Sequence, residues 1–461
     1  MAFFRGGKMF ESNCRAMRIL AALCLLCAVP ACDKDRESGS SEPYAAPPSA
    51  YATPAQSVSA RAPMYSSAPA ILMPQPATVA ALAGAPNSVS PVMPEIRVAV
   101  HKDAFSVRVS APACGARIVL NGLPWKQLPP NAMVTVTQAG ASLLLDGQPL
   151  NAPLVRFESF SPDAFMKLND KDISACVVLS RPAARNGILA LAQLNVEEYL
   201  AGVLAGEVPY ERWHPEALKA QAVVSRTYAL HEIRAHAGEA YDVDNTVMSQ
   251  VFKGGCRNIP ALSQAINATH GQALTSNGVV FPAFFHSTCG GHTEAAAGIF
   301  PEHALVRPLC GVNCPYCTQS PGYRWSAKFT KEALGLKLRT LIPNVGQIES
   351  LSFSDAKGVP LGATGVATDF RRVQTVLVKH TNGTSSLQGN AFRLAVGPRE
   401  LKSLLWGQIA DRGDALEISG AGFGHGVGLC QYGSQGMAQA GESYTRILGF
   451  YFPGAALTRL F

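Results

Sequence analysis

Charge is what this chain has least of. Asp, Glu, Lys and Arg make up 15% of its 461 residues against 48% hydrophobic ones, which leaves room for a substantial packed core. Part of the deficit is local. From Pro43 to Pro94 the only charged residue is Arg61, and Pro, Ala and Ser dominate. Such a stretch cannot bury enough apolar surface to offset its ordering entropy, so an extended tether or plain spacer is expected there. Long apolar runs are missing too. The N-terminal one, Ile19 to Val29, has about eleven residues where a bilayer span needs roughly 20, which argues against a membrane-spanning helix at that point. No internal repeat is evident. Basic residues are spread out, and the net charge of +7 is a mild excess. It suits an acidic polymer without choosing among nucleic acid, anionic lipid and glycan, and it fits a slightly basic soluble protein equally well.

What is present at the N-terminus is informative. Arg18, the short apolar run and then Pro30-Ala31-Cys32 describe a secretory signal over residues 1–32. Glu11 sits oddly in a basic region, which leaves Met9 and Met17 as alternative starts. Val29-Pro30-Ala31-Cys32 also resembles a bacterial lipobox with Cys32 as the lipidated residue. Pro30 is unusual at its position, so simple secretion stays open. Either way the expectation is an exported protein of the cell envelope, membrane-anchored or free in the periplasm or outside. Residues 33–95 follow as the Pro/Ala/Ser-rich linker.

From Glu95 the pattern predicts order. Apolar residues alternate in Ile96–Val100 and Phe105–Val109, and Arg117–Leu120, Val134–Val136 and Ser142–Leu145 are further strands set off by Gly, Pro and Asn. The character changes at Asn195, which with Glu198 resembles a capping box ahead of Val196, Leu200, Val203 and Leu204. Val208-Pro209 ends that helix. A second starts at Pro215 and stops before Gly238. Short strands and loops follow, with helices expected at Pro398–Leu405 and Tyr444–Phe450. The fold class is therefore α+β: a β-rich part at 96–192, a helical pair, then a mixed β and loop region, with 193–458 as the core.

Three constellations bear chemistry. Glu207 ends the first helix within Gly202-Val203-Leu204-Ala205-Gly206-Glu207-Val208-Pro209. Small apolar neighbours desolvate its carboxylate and the negative helix end opposes ionisation, so its pKa should rise. A carboxylic acid protonated near neutrality suits glycosidic cleavage, which needs a proton on the leaving oxygen. Taken alone, a helix-end glutamate is more often a solvated surface residue. The second constellation is His286-Ser287-Thr288-Cys289-Gly290-Gly291-His292 with Cys310, Cys314 and Cys317, two imidazoles and four thiols within 32 positions. Cys289, His292, Cys314 and Cys317 form the best tetrahedral set, with His286 and Cys310 as alternates, and the metal would be a structural zinc. Disulfides, with Cys256 able to join, compete on equal terms in an exported chain. The third is Gly420 to Gly428, with glycine at every second residue. Extended, it would present one face without side chains and His425 on the other beside Phe423. It does not match the dinucleotide-binding glycine spacing.

At these residues the chain resembles the SpoIID/LytB family. The resemblance runs through Ala205–Pro209, Glu216–Val223 and Arg226–Ala229, then His286–Thr293, Phe392–Leu394 with Lys402-Ser403, and Gly422–Gly433 with Tyr451–Gly454. These motifs keep family order over roughly residues 96–458. The resemblance implies a peptidoglycan lytic transglycosylase that cuts MurNAc–GlcNAc bonds in strands stripped of stem peptides, leaving 1,6-anhydroMurNAc ends. It puts the family's essential acid on Glu207 and suits the metal-bearing branch. Cys430, where relatives usually have Ser, reads as a tolerated small residue. Implied partners are glycan strands, an N-acetylmuramoyl-L-alanine amidase and, through Cys32, a membrane; nucleic acid is not among them. Lys219, Gln221, Arg226, His425, Gln431 and Tyr432 are the candidates for lining a glycan cleft, and Lys219 and Arg226 would meet muramate carboxylates.

One carboxylate is enough for this chemistry. A hydrolase normally needs two, whereas here the muramic 6-hydroxyl itself attacks the anomeric carbon. No second well-placed carboxylate stands out, and Asp242 and Asp244 read as loop or cap residues. The competing readings are an amidase enhancer that binds glycan without cutting it, and a disulfide-held structural lipoprotein.

Overall fold

The alternating pattern after Glu95 does form strands. A computed structural model describes residues 93–246, 249–256, 258–361 and 371–461. The expected leader, the lipidation residue Cys32 and nearly all of the linker lie outside them. The described residues form one unit of mixed α+β structure.

The strand Glu95–Ala104 pairs antiparallel with Ile188–Asn195, from Glu95 opposite Asn195 to Ala104 opposite Ile188. The latter strand, Ile-Leu-Ala-Leu-Ala-Gln-Leu-Asn, is buried along most of its length, as befits a nearly continuous apolar run at the centre of a sheet. These two belong to a seven-stranded sheet, which faces a six-stranded one built around Ser106–Ser110 and Met133–Ala139. Ile96, Val98, Val107, Val109, Phe157 and Leu194 fill the space between them. Every strand expected from the alternation is present, each within a few residues of its expected bounds.

Helix α1 (Val196–Glu207) begins where that central strand ends, because Asn195 caps it: the Asn195 side chain accepts from Glu198 N at 2.8 Å. Eight of its twelve residues are buried, so α1 has no wet face of any width and serves as core. Tyr199 and Val203 pack toward the sheets, and Leu200 and Leu204 pack on α2 (Pro215–Ala235) and α3 (Pro260–Ala268). Pro215 opens α2 as expected, and Gly238, at φ +87°, follows its end.

The region after Asp242 holds more helix than its sequence suggested. It contains α3, the single turn α4 (Ala296–Ile299), α5 (Lys331–Leu338), α6 (Gly389–Val396), α7 (Gln431–Gln439) and α8 (Tyr444–Tyr451). The helix expected at Pro398–Leu405 is a correction. Gly397 takes φ +119° and closes α6, so Pro398 follows a helix end and opens none. The alternating glycines are a second correction. Gly422, Gly424, Gly426 and Gly428 all have positive φ, so the segment after Ala421 winds through left-handed positions and is not a flat strand. The close backbone approach expected of it does occur. Cβ atoms on Gly422 and Gly428 would run into the carbonyls of Thr288 and Phe284. Thr288 bridges Phe423, Glu294 bridges Val427, and Phe285-His286 pairs in parallel with Leu429-Cys430. Two segments far apart in sequence are thereby laid side by side. No helix among the described residues is long and apolar enough to cross a membrane.

Candidate active site

Glu207 is the last residue of α1, and the loop 249–254 is what buries it. Two glycines on α1 let that loop close in. A Cβ on Gly202 would stand 2.5 Å from the Phe252 ring, and one on Gly206 would overlap the Val251 carbonyl. The loop is tied down by Lys253 N to Gly202 O at 3.1 Å and by Phe252 N to Asn245 Oδ1 at 2.7 Å. Tyr199 fixes it from below, stacking on Phe252 and donating to Gln250 Oε1 at 2.8 Å. So held, Val251 donates its amide to Glu207 Oε1 at 2.7 Å. Burial pushes the Glu207 carboxyl up to about 6, with the Val251 amide pulling the other way. No second carboxylate among the described residues contributes to that shift. Asp242 and Asp244 are engaged with the first strand, in ion pairs to Arg97 at 2.5 Å and Lys102 at 2.7 Å.

The C-terminal part of the chain packs against the same helix end. Gln431, first residue of α7, brings Nε2 to 3.5 Å from the Glu207 carbonyl oxygen. Tyr432 stands edge-on to Trp213, with ring centroids 5.8 Å apart. Further along α7, Gln435 accepts from His214 N at 2.9 Å. Of the expected cleft residues, Gln431 and Tyr432 thus reach the neighbourhood of Glu207.

The others lie elsewhere. Arg226 is wholly buried, paired with Glu197 at 2.6 Å and donating to the Gln272 carbonyl at 3.0 Å. Its charge is compensated inside the protein by Glu197. Gln221 is likewise buried, donating to Ser225 Oγ at 3.0 Å. Lys219 sits on α2 in an ion pair with Glu216 at 2.6 Å, its ammonium 5.9 Å from the Tyr444 ring centroid. His425 packs among Phe284, His286 and Phe300 and accepts from Val427 N at 3.1 Å. Burial, then His286, hold its pKa well below the ordinary range, and the residue is half-buried. Helical periodicity showed that Lys219, Gln221 and Arg226 lie on a helix, but not which of its faces meet another element. Trp213 and Val251 carried no sequence signal.

A second cluster lies behind α7. Sγ atoms of Cys289, Cys314, Cys317 and Cys430 all fall within 4.8 Å of one another, and all four residues are buried. Three of the expected ligands are therefore together, and the fourth member is Cys430 where His292 was expected. His292 takes part in the surrounding frame through its carbonyl, which accepts from Arg372 Nη2 at 3.0 Å. His286 turns Nδ1 to the Val427 carbonyl at 3.1 Å, and Cys310 is exposed. Cys430 is thus a cluster member, not merely a tolerated small residue. None of the four is in a disulfide. Four convergent thiols suit a tetrahedral ion of zinc type in number and chemistry.

Residues 184–276 match the family described as SpoIID, stage II sporulation protein, a span that includes α1 and α2. An uncharacterized protein of Brachyspira hyodysenteriae is 33% identical over 268 residues, covering 58% of this chain and 67% of that one. Stage II sporulation protein D of Bacillus amyloliquefaciens is 30% identical over 299 residues, covering 61% of this chain and 79% of that protein. The amidase enhancer of Bacillus subtilis is 27% identical over 301 residues, covering 56% of this chain and 40% of that one.

Proposed function

The chain belongs to the SpoIID family, and from that premise we propose that it is a peptidoglycan lytic transglycosylase with Glu207 as its acid and base. Family membership carries a role in cell-wall remodelling. The observation that supports the finer reading is a half-buried carboxyl at the end of α1, pushed up to about 6 and held by one amide. In this scheme Glu207 first gives its proton to the glycosidic oxygen as that bond breaks. The resulting carboxylate then takes the proton of the muramic 6-hydroxyl, whose oxygen closes onto the anomeric carbon. Protons balance, no water is consumed, and the acid is regenerated. Tyr432 and Trp213, both half-buried, would line the bound strand, while Gln431 is buried against the Glu207 carbonyl; export with anchorage through Cys32 belongs to the same proposal.

The test incubates the full chain with peptide-denuded glycan strands and, separately, intact sacculi. Anhydro ends by mass spectrometry from the denuded strands, lost in Glu207→Gln, are the expected result. Reducing ends would mean hydrolysis and a second carboxylate. One relative bears the name amidase enhancer, which motivates a second reading in which the chain binds glycan and stimulates a separate amidase. Strand binding with faster amidase turnover, undiminished in Glu207→Gln and without cleavage, would favour it.

A further inference from the structure

The four-cysteine cluster lies outside the chemistry assigned to Glu207, yet its surroundings are built around the sulfurs. We propose that Cys289, Cys314, Cys317 and Cys430 hold one zinc ion as a tetrathiolate centre that pins the start of α7 to the rest of the fold.

Spacing comes first. Zinc–sulfur bonds of about 2.3 Å in a tetrahedron put sulfurs roughly 3.8 Å apart. The four Sγ atoms here lie within 4.8 Å, with Cys289 and Cys317 at 3.4 Å. Only small adjustments separate this arrangement from a closed coordination shell.

The backbone around the cluster suits such a shell. Gly290 and Gly291, at φ +81° and +130°, turn the chain directly after Cys289. Pro315 to Cys317 form a single tight turn that brings Cys317 back beside Cys314, and Cys314 N donates to Gly291 O at 2.8 Å. Gly433 packs so closely that a Cβ there would run into the Tyr451 hydroxyl and stand 2.8 Å from Cys314 Sγ.

Polar groups address the sulfurs as acceptors. Cys430 Sγ receives the amides of Cys289 and Gly433 at 3.2 and 3.3 Å, and the Tyr451 hydroxyl lies 3.0 Å from Cys314 Sγ. Donors of this kind stabilise thiolates and orient metal ligands. Two disulfides would need none of them.

Charge is the last element. Four thiolates on a divalent ion leave two negative charges, which Arg372, shared with Glu294, offsets in part. Arg372 is buried beside the cluster, its Nη2 bonded to the carbonyls of Cys289 and His292 at 3.2 and 3.0 Å and its Nε 3.1 Å from Glu294. Zinc binding releases the thiol protons to solvent and requires no oxidant.

The test is metal content, which does not depend on glycan cleavage. Full-length protein, purified under reducing conditions without chelator, should carry one zinc by elemental analysis. Its cobalt-substituted form should show the intense sulfur charge-transfer and visible bands of a tetrahedral thiolate site. Cys430→Ser should lose most of the metal, whereas His292→Ala should keep it. Should Cys430→Ser not fold, wild-type protein treated with a strong chelator should release zinc to an indicator dye and melt at lower temperature. Metal-free protein whose four cysteines resist alkylation until reduced would overturn the proposal. So would metal lost from His292→Ala but kept by Cys430→Ser, or a melting temperature indifferent to chelator.

Discussion

The backbone amide of Val251 donates to Oε1 of Glu207 at 2.7 Å, so the loop that buries this carboxyl also aims it. Burial raises its pKa from an ordinary 4.5 to about 6. The first prediction is a trade between stability and activity. Below about pH 4.5 both folded and unfolded chains hold the proton, and the site costs nothing. As pH rises through about 6 the unfolded chain has already ionised while the folded one resists. Folding therefore loses stability across this window, on the order of 2 kcal/mol for a shift of this size. Glu207→Gln removes the penalty. In urea denaturation it should match wild type at pH 4 and be the more stable at pH 7.5, while cleavage falls by about a hundredfold or more. A wild type equally stable relative to the variant at both pH values would count against a raised pKa.

Gly206 makes the same site testable from the backbone. A Cβ there meets the Val251 carbonyl, so Gly206→Ala must push the loop away. The expected cost is about 1–3 kcal/mol. With the carboxyl more exposed its pKa should fall toward 4.5. The alkaline limb of the pH–rate profile should then move to lower pH, since the working acid is the protonated form. A profile that keeps its midpoint while the protein is destabilised would separate the loop from the tuning of Glu207.

Arg226 illustrates how much of the candidate site the sequence could carry. Its place on α2 was legible, as were Asn195 as a cap, Pro215 as a helix start and the strand alternation, because these rest on neighbours within a few residues. The position of Glu207 at the end of α1 was legible too, but the loop that holds its carboxyl was not, because Val251 lies 44 residues further along the chain. The partner of Arg226 was not, since Glu197 lies on another helix and the Gln272 carbonyl on a strand. Cys430 was hidden in the same way, brought beside Cys289 by a parallel pairing of two distant segments. The alternating glycines show the reverse limit, because spacing alone did not distinguish extended from left-handed backbone.

From that placement comes a third prediction. Removing one partner of a buried ion pair leaves an uncompensated charge, which typically costs about 3–5 kcal/mol. Arg226→Ala should therefore lower the denaturation midpoint sharply, because Glu197 remains buried opposite it. Whatever folds should bind glycan as wild type does, with KM unchanged. A raised KM with normal stability would return Arg226 to the cleft.

Tyr432 is the strongest candidate for a sugar contact. Its ring meets Trp213 edge-on at 5.8 Å, and both side chains are half-buried close to the helix end that carries Glu207. Its backbone amide is engaged with Ser287 O at 3.0 Å, so truncating the side chain leaves the main chain of α7 anchored. Aromatic faces give apolar contact while the tip stays wet, as a glycan strand requires. Tyr432→Ala should raise KM for denuded strands several-fold and leave the pH dependence set by Glu207 where it was. Tyr432→Phe should stay close to wild type if the ring does the binding. An unchanged KM in Tyr432→Ala with a lower melting temperature would make the ring a packing element of Trp213 and place the glycan elsewhere around Glu207.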